Sequence, residues 1–166
     1  MLRKMAADKI CLIQGSFKEG LDQEVRDYQK IGVFIDYSYK SAKVLKRAFA
    51  LSKSCSILHI VHILSTKLPY HNKPLVSLDP EYHQLLRQHA EELVEKAEKK
   101  AEEAHINYKV HLLEGDPAEE ILKFAQEAKL DLIILGSKDK IGSTKNLGSV
   151  SNHVATEAKC SVLIER

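Results

Sequence analysis

The chain has 166 residues, enough for one domain with a hydrophobic core, and its apolar and charged fractions, 44% and 29%, are ordinary for a globular protein. A formal net charge of +2 does not favour a protein that binds nucleic acid by neutralising phosphates. The apolar stretches are too short to cross a bilayer and the amino-terminal segment does not fit a signal peptide, so we expect neither a nucleic-acid nor a membrane partner.

The three cysteines, Cys11, Cys55 and Cys160, lie far apart and show no metal-ligand spacing and no C-x-x-C motif. Cys55 and Cys160 begin apolar runs, so both are expected to be buried. An odd number of cysteines is typical of reduced thiols and predicts a cytoplasmic protein.

Regular alternation of elements begins at residue 30, so we divide the chain into an extension, residues 1–29, and a domain, residues 30–166. The extension contains "DKICLIQGSF", which could form a short extra strand, and "GLDQEVRDYQK", which could form a turn of helix. In the first half of the domain the pattern predicts a strand, a helix, a second strand and an irregular loop with three prolines. Their sequences are "IGVFID", "SAKVLKRAFALSK", "CSILHIVHIL" and "TKLPYHNKPLVSLDP".

The second half begins with a long amphipathic helix that starts at Pro80. A helix in "GDPAEEILKFAQEA" has a well-marked start, with Asp116 as N-cap, Pro117 at the first helical position and Glu120 in the first turn. The remaining elements are three strands, "NYKVHLL", "LDLIILG" and "CSVLIE", and a short helix, "SVSNHVATEA".

Strands that alternate with helices predict an α/β fold, a five-stranded parallel sheet with helices on both faces in a Rossmann-like arrangement. The nearly continuous apolar strands agree, because such strands are covered on both sides. Ligands bind such sheets at the carboxyl ends of the strands. Two positions follow from that rule, Asp36 after the first strand and Gly136 at the end of the fourth.

Three glycines, Gly136, Gly142 and Gly148, are evenly spaced between the fourth strand and the last helix. Glycines let backbone amides approach a phosphate, and the amino end of a helix favours anions. Ser149 would then give its hydroxyl to a phosphate. The alternative is that Ser149 only caps the helix and the glycines only form turns. The loop is neither a Walker A motif nor a dinucleotide fingerprint.

Asp36 also has two interpretations. A carboxylate at this edge can accept hydrogen bonds from a ribose hydroxyl or a base amine, or it can stabilise the following turn with Ser38 and Ser41.

His59 and His62 lie three apart in a strand and face opposite sides, so they are a poor metal pair, and His59 is expected to be buried and hydrogen-bonded. No Ser-His-Asp or Cys-His arrangement and no nucleophile elbow is present, so the residues give no sign of an ordinary enzyme.

The stretches "IGVFIDYSYKSAKVLKRAFALSK", "SILHIVHIL", "EGDPAEEILKFAQEAKLDLIILGSK" and "LGSVSNHVATEAKCSVLIER" resemble the universal stress protein family over about residues 30–166. The resemblance implies a five-stranded parallel fold and a homodimer formed through the last strands. It also implies adenine-nucleotide binding, of ATP with or without Mg²⁺ or of AMP, through a G-x-x-G-x(9)-G-[ST] loop. Matched to this chain, the implied binding residues are Asp36, Ile60, Gly136, Ser137, Lys138, Gly142, Gly148, Ser149 and Val150.

The loop departs from the family pattern, because Asp139 stands where the second glycine is expected and the following spacer is one residue short. A carboxylate about 4 Å from a phosphate oxygen costs on the order of 4 kcal/mol at an effective dielectric near 20. Lys138, Lys140, Lys145 or a phosphate-bound Mg²⁺ could compensate, and Gly142 could replace the missing glycine. Two functions therefore stay open: a dimeric nucleotide-binding stress sensor or switch, and a dimeric interaction module that has lost ATP.

Overall fold

The computed structural model describes residues 27–65, 67–68, 71–74, 80–137 and 147–166. The strands are β1 (Lys30–Ile35), β2 (Ile57–Ser65), β3 (Lys67–Leu68), β4 (His71–Pro74), β5 (Tyr108–Gly115), β6 (Leu132–Gly136) and β7 (Ser161–Glu165). The helices are α1 (Lys40–Leu51), α2 (Pro80–Glu103), α3 (Pro117–Glu127) and α4 (Ser149–Glu157). Five strands form one parallel sheet in the order β5-β2-β1-β6-β7, which confirms the predicted fold class.

The helices cover both faces of this sheet, and each face has its own core. Side chains of α1 and α2 pack on one face against alternate residues of β1, β2 and β6, among them Val33, Ile60 and Ile134. Side chains of α3 and α4 pack on the other face, against residues such as Phe34 and Val61. In the described ranges no helix combines the length and the apolar character that a membrane span requires.

One predicted loop is partly wrong. Within residues 66–80, β3 and β4 form a two-stranded antiparallel ribbon, with Lys67 opposite Pro74. Proline is tolerated at the edge of a ribbon, where its missing N–H breaks no ladder bond, so the prolines did not exclude short strands here.

The predicted start of α3 is confirmed in detail. Asp116 is the N-cap in an extended conformation, and its Oδ1 accepts hydrogen bonds from the amides of Ala118 at 3.1 Å and Glu119 at 3.4 Å. Pro117 takes the first helical position, where its missing N–H leaves no hydrogen bond unmade.

The last residues before β1 are attached to the sheet by hydrogen bonds. The Asp131 carboxylate accepts from the amides of Gln29 at 2.7 Å and Lys30 at 3.1 Å, and Ser56 Oγ donates to the carbonyl of Tyr28 at 2.6 Å. The strand expected in "DKICLIQGSF" and most of the expected helical turn lie in residues 1–26, outside the described residues.

The expectation of buried, reduced thiols is wrong for Cys55, which is exposed and disulfide-bonded. The physical reason for its exposure is its place in the turn before β2, because the strand begins only at Ile57. Cys160 is a half-buried free thiol, and burial, with a smaller effect of Asp131, raises its pKa.

The strand order reverses between β1 and β6, and this reversal positions the site. β2 lies on one side of β1 and β6 on the other, with Phe34 beside Leu135 in the ladder. Asp36 and Ser137, the first residues after β1 and β6, therefore lie on adjacent strands at one edge, where α/β folds bind ligands.

Candidate functional site

A cavity of about 240 Å³ opens at this edge of the sheet. Its wall combines the ends of β1, β2 and β6, the first turns of α1 and α3, and the amino end of α4. The residues that line it include Asp36, Ser38, Ser41, Val61, Ile63, Gly136, Ser137, Gly148, Ser149 and Val150. Six of the nine residues predicted for the site therefore line one cavity.

Asp36 takes part in a compact turn at the cavity wall. Its Oδ1 accepts from the Ser38 amide at 2.9 Å and from the Ser38 hydroxyl at 2.5 Å. Ser41 Oγ accepts from the Asp36 amide at 2.7 Å and lies 2.9 Å from the same Oδ1. The turn-stabilising role predicted for Asp36, Ser38 and Ser41 is thus present, and Asp36 also lines the cavity.

Gly136 and Ser137 form the wall at the end of β6. A Cβ on Gly136 would lie 3.3 Å from Val44 Cγ2, so glycine lets α1 approach the strand closely. Ser137 is 4% exposed, and its amide donates to the Glu165 carbonyl at 3.0 Å. Its own carbonyl accepts from Lys40 Nζ at 2.9 Å. Both backbone groups of Ser137 are therefore fixed by other elements.

The amino end of α4 forms the third side of the cavity. Gly148 is the N-cap, with φ −61° and ψ 160°, and Ser149 is the first helical residue. Ser149 therefore does not occupy the N-cap position that was one of its two predicted roles. Because a glycine N-cap has no side chain to accept from the first amides, these donors remain suited to an anion. The Ser151 hydroxyl instead donates to the Gly148 carbonyl at 3.1 Å.

Ile60 is predicted to contact the ligand through a backbone group of β2, and the residue is not part of the cavity lining. Its side chain is fully buried in the core under α1 and α2, on the opposite face of the sheet. The ladder places His62 beside Ile35, and its neighbours Val61 and Ile63, whose side chains lie on the face covered by α3, line the cavity. Sequence reasoning missed these two, and the alternation of side chains along the strand, which puts both on one face, was the available signal.

Lys138 and Gly142 lie outside the described residues, together with Asp139, Lys140 and Lys145. Their predicted roles in the loop remain predictions. Among the residues that are described, no group of three or more His, Cys, Asp and Glu side chains is placed to hold a metal ion.

The two histidines of β2 face opposite sides, as predicted. His59 is buried, and its Nδ1 lies 3.0 Å from Nε2 of His111. Burial, followed by the effects of His111, Lys109 and Lys30, lowers the pKa of His59 to about 4. His62 Nδ1 lies 2.8 Å from the Ile35 carbonyl, which fixes it as the donor, and burial lowers the pKa of this histidine. Both are neutral core residues, and neither faces the other.

The family model for universal stress proteins matches residues 27–166. The chain belongs to the universal stress protein family. A universal stress protein of Methanocaldococcus jannaschii is 32% identical over 139 residues, which cover 82% of this chain and 81% of that protein. The solved UspA structure of Lactobacillus plantarum covers 84% of this chain and is itself 98% covered, with a TM-score of 0.68 and 23% identity.

Two further family structures were solved with nucleotides. One is a universal stress protein in complex with cAMP, with a TM-score of 0.61, 23% identity and coverage of 84% of this chain and 98% of that one. The other is the Archaeoglobus fulgidus universal stress protein in complex with dAMP, with a TM-score of 0.57, 20% identity and coverage of 84% and 99%. At these identities the likeness to this chain is one of fold.

Proposed function

We propose that this universal stress protein binds an adenine nucleotide, ATP with or without Mg²⁺ or AMP, in the cavity at the carboxyl edge of its sheet. The observation that carries the proposal is the meeting of Asp36, the Ser137 backbone and the glycine-capped end of α4 around one opening. The carboxylate suits the sugar end of a nucleotide, and the backbone N–H groups of the first turn of α4 suit its phosphates.

In this arrangement the sugar and base lie over β1 and β2. Asp36 accepts from a ribose hydroxyl while it keeps its turn with Ser38 and Ser41, and the β2 backbone near Val61 and Ile63 contacts the base. The apolar side chains around these residues, including Phe34 and Ile121, are suited to a planar ring. Ile60, the residue of β2 that the sequence predicts for this role, directly precedes Val61 in the same strand.

The phosphates lie between β6 and α4. Gly136 and Ser137 supply backbone at one side, and Gly148, Ser149 and Val150 supply the helix amides at the other. Lys138 and Gly142 are proposed to complete the phosphate contacts, as the sequence predicts. The structures of similar fold that were solved with cAMP and dAMP support an adenine nucleotide as the ligand.

We further propose that the protein is a cytoplasmic homodimer that pairs through β7 and works as a sensor or switch. β7 lies at the edge of the sheet, and Val162, Leu163 and Ile164 are only partly buried there. Unpaired edges of this kind favour pairing with another strand. Cell fractionation is the direct test of location, and the oxidation state of Cys55 in cells tests whether the compartment is reducing.

The second candidate is a dimeric interaction module without nucleotide. The observation that favours it is the engagement of the Asp36 carboxylate by Ser38 and Ser41, which a ribose would have to share. Asp139 in the loop sequence favours it as well. Under this hypothesis the cavity stays filled by solvent.

A thermal melt with Mg-ATP, ADP, AMP and GTP separates the two, together with release of co-purified nucleotide by denaturation. A ligand at a hundred times its dissociation constant stabilises by about 2.7 kcal/mol, which raises the midpoint by roughly 5–10 °C. A shift with adenine nucleotides alone is the expected result. No shift with any nucleotide, and none released, would sink the nucleotide proposal and leave the interaction module. Sedimentation velocity with and without ATP tests the dimer.

A further inference from the structure

Lys40 occupies an unusual position for a lysine. It is the first residue of α1, and only 7% of its surface is exposed. Burial removes the ammonium from water, and the amino end of a helix carries partial positive charge that repels a cation. Lys46 lies on the same helix, but it is exposed to water and lies beyond the first turn. A residue that violates two local preferences is often kept for its effect on a functional site.

The side chain of Lys40 reaches the backbone where the chain leaves β6. Its Nζ donates to the Ser137 carbonyl at 2.9 Å, in a buried contact between residues 97 apart in sequence. The Ser137 amide is already held by the Glu165 carbonyl of β7. Strand pairing therefore places Ser137 without the lysine, and the lysine adds control over where the carbonyl oxygen points.

Lys40 lies behind the wall of the cavity. Ser137 lines the cavity, whereas Lys40 does not. The hydrogen bond directs the Ser137 carbonyl oxygen toward the ammonium, so its partial negative charge is neutralised beside the proposed phosphate position. The ammonium also brings a unit positive charge close to the wall. Both effects favour an anion in the cavity, and neither changes the affinity for an uncharged nucleoside.

We propose that Lys40 is a positioning residue that gives this site its preference for phosphate-bearing nucleotides over nucleosides. The inference rests on the proposed nucleotide-binding function and names the residue that sets its ligand charge. Sequence reasoning sought compensating cations inside the loop, at Lys138, Lys140 and Lys145, whereas Lys40 comes from a helix about a hundred residues earlier.

The test measures dissociation constants for ATP, AMP and adenosine by titration calorimetry at two salt concentrations. Lys40→Met is expected to weaken ATP binding roughly tenfold, because it removes a unit positive charge beside the cavity wall, and to leave adenosine binding unchanged. Lys40→Gln keeps a donor without the charge and is expected to lose ATP affinity as well. Lys40→Arg keeps the charge and the donor, so its ATP affinity should be close to that of the unaltered protein.

Lys46→Met is the matched control, since it removes the same charge from an exposed position on α1, and it should leave the ratio of ATP to adenosine affinity unchanged. Thermal midpoints of all variants without ligand show whether they fold. Equal loss of ATP and adenosine affinity in Lys40→Met and Lys40→Gln would overturn the inference in favour of a structural role, as would unchanged ATP affinity. Absence of nucleotide and nucleoside binding by the unaltered protein would overturn the proposed function itself.

Discussion

His59 and His111, on the adjacent strands β2 and β5, form a stacked pair whose Nδ1 and Nε2 atoms lie 3.0 Å apart and whose ring planes differ by 20°. Both rings pack against Phe124 of α3. At 3.0 Å one nitrogen must donate and the other accept, so the pair requires at least one neutral ring. Protonation of both would place two positive charges in contact inside the core.

We therefore predict that acid destabilises the fold through this pair. The unfolded histidine has a pKa of 6.5 and the folded His59 a pKa of about 4. Between these values the unfolded state binds the extra proton, so stability is full above pH 6.5 and falls as pH drops toward 4. Allowing for solvent that reaches the half-buried His111, the loss is about 1–2 kcal/mol. The lowered pKa values of His62 and His111 act in the same direction.

Urea unfolding at pH 7.5, 5.5 and 4.5 measures this loss. His59→Phe keeps a ring beside Phe124 but cannot take a proton, so its stability should depend less on pH. His89→Gln changes an exposed histidine of α2 and should retain the dependence of the unaltered protein. Identical pH profiles for His59→Phe and the unaltered protein would contradict the prediction.

Gly32 allows Leu130 to pack directly on β1. A Cβ at Gly32 would lie 2.3 Å from Leu130 Cδ1 and 3.1 Å from Phe34 Cε2. We predict that Gly32→Ala destabilises the protein by about 1–3 kcal/mol, the usual cost of overpacking a core. A double-mutant cycle in urea provides the check: in a Leu130→Ala background the added methyl has room, so Gly32→Ala should cost less than half as much there. If Gly32→Ala destabilises both backgrounds equally, contact with Leu130 is not the cause of the strain.

Asp36→Asn separates the two roles of Asp36. Asparagine keeps an Oδ1 that can accept from Ser38, so the turn and the stability should change by less than about 1 kcal/mol. The amide nitrogen cannot accept from a ribose hydroxyl, so the affinities for ATP and for adenosine should both fall about tenfold, the value of one charge-assisted hydrogen bond. Ser38→Ala serves as the control for the turn alone. Full retention of affinity by Asp36→Asn would exclude Asp36 from ribose binding.

Asp139→Gly tests the charge argument made for the glycine loop. Removing a carboxylate near the phosphates should strengthen ATP binding by at least tenfold and at most about a thousandfold. Adenosine carries no phosphate, so its affinity should remain within about twofold in the same titrations. If ATP affinity is unchanged, Asp139 does not face the phosphates and the departure from the family loop has no electrostatic consequence.

The strands and helices of this fold follow from sequence because each obeys a strong local rule. β1, β2 and β6 are nearly continuous apolar runs, and the Asp-Pro start of α3 matches the observed N-cap. The position of the site at Asp36 and Gly136 follows from the rule that ligands bind parallel sheets at the carboxyl ends of their strands. The β3–β4 ribbon does not, because in residues 66–80 the turn-forming and proline signals outweigh the strand signal.

Details that depend on which way a strand faces were harder to predict. Ile60 and Val61 have the same local character, and the helices that cover each face decide which of the two side chains reaches the cavity. Lys40 gave no signal either, because a lysine after "DYSY" is ordinary in a solvated first turn. Its role depends on contact with Ser137, and no local pattern in the sequence encodes a contact between residues so far apart.

Lys40 and Glu165 hold Ser137 through its backbone carbonyl and amide. Neither anchor depends on the hydroxyl, so the side chain at this position can vary among small residues while the strand end stays in register. The lining of the cavity can then be altered one group at a time without moving its frame. A fold built in this way can change the ligand it selects by single substitutions.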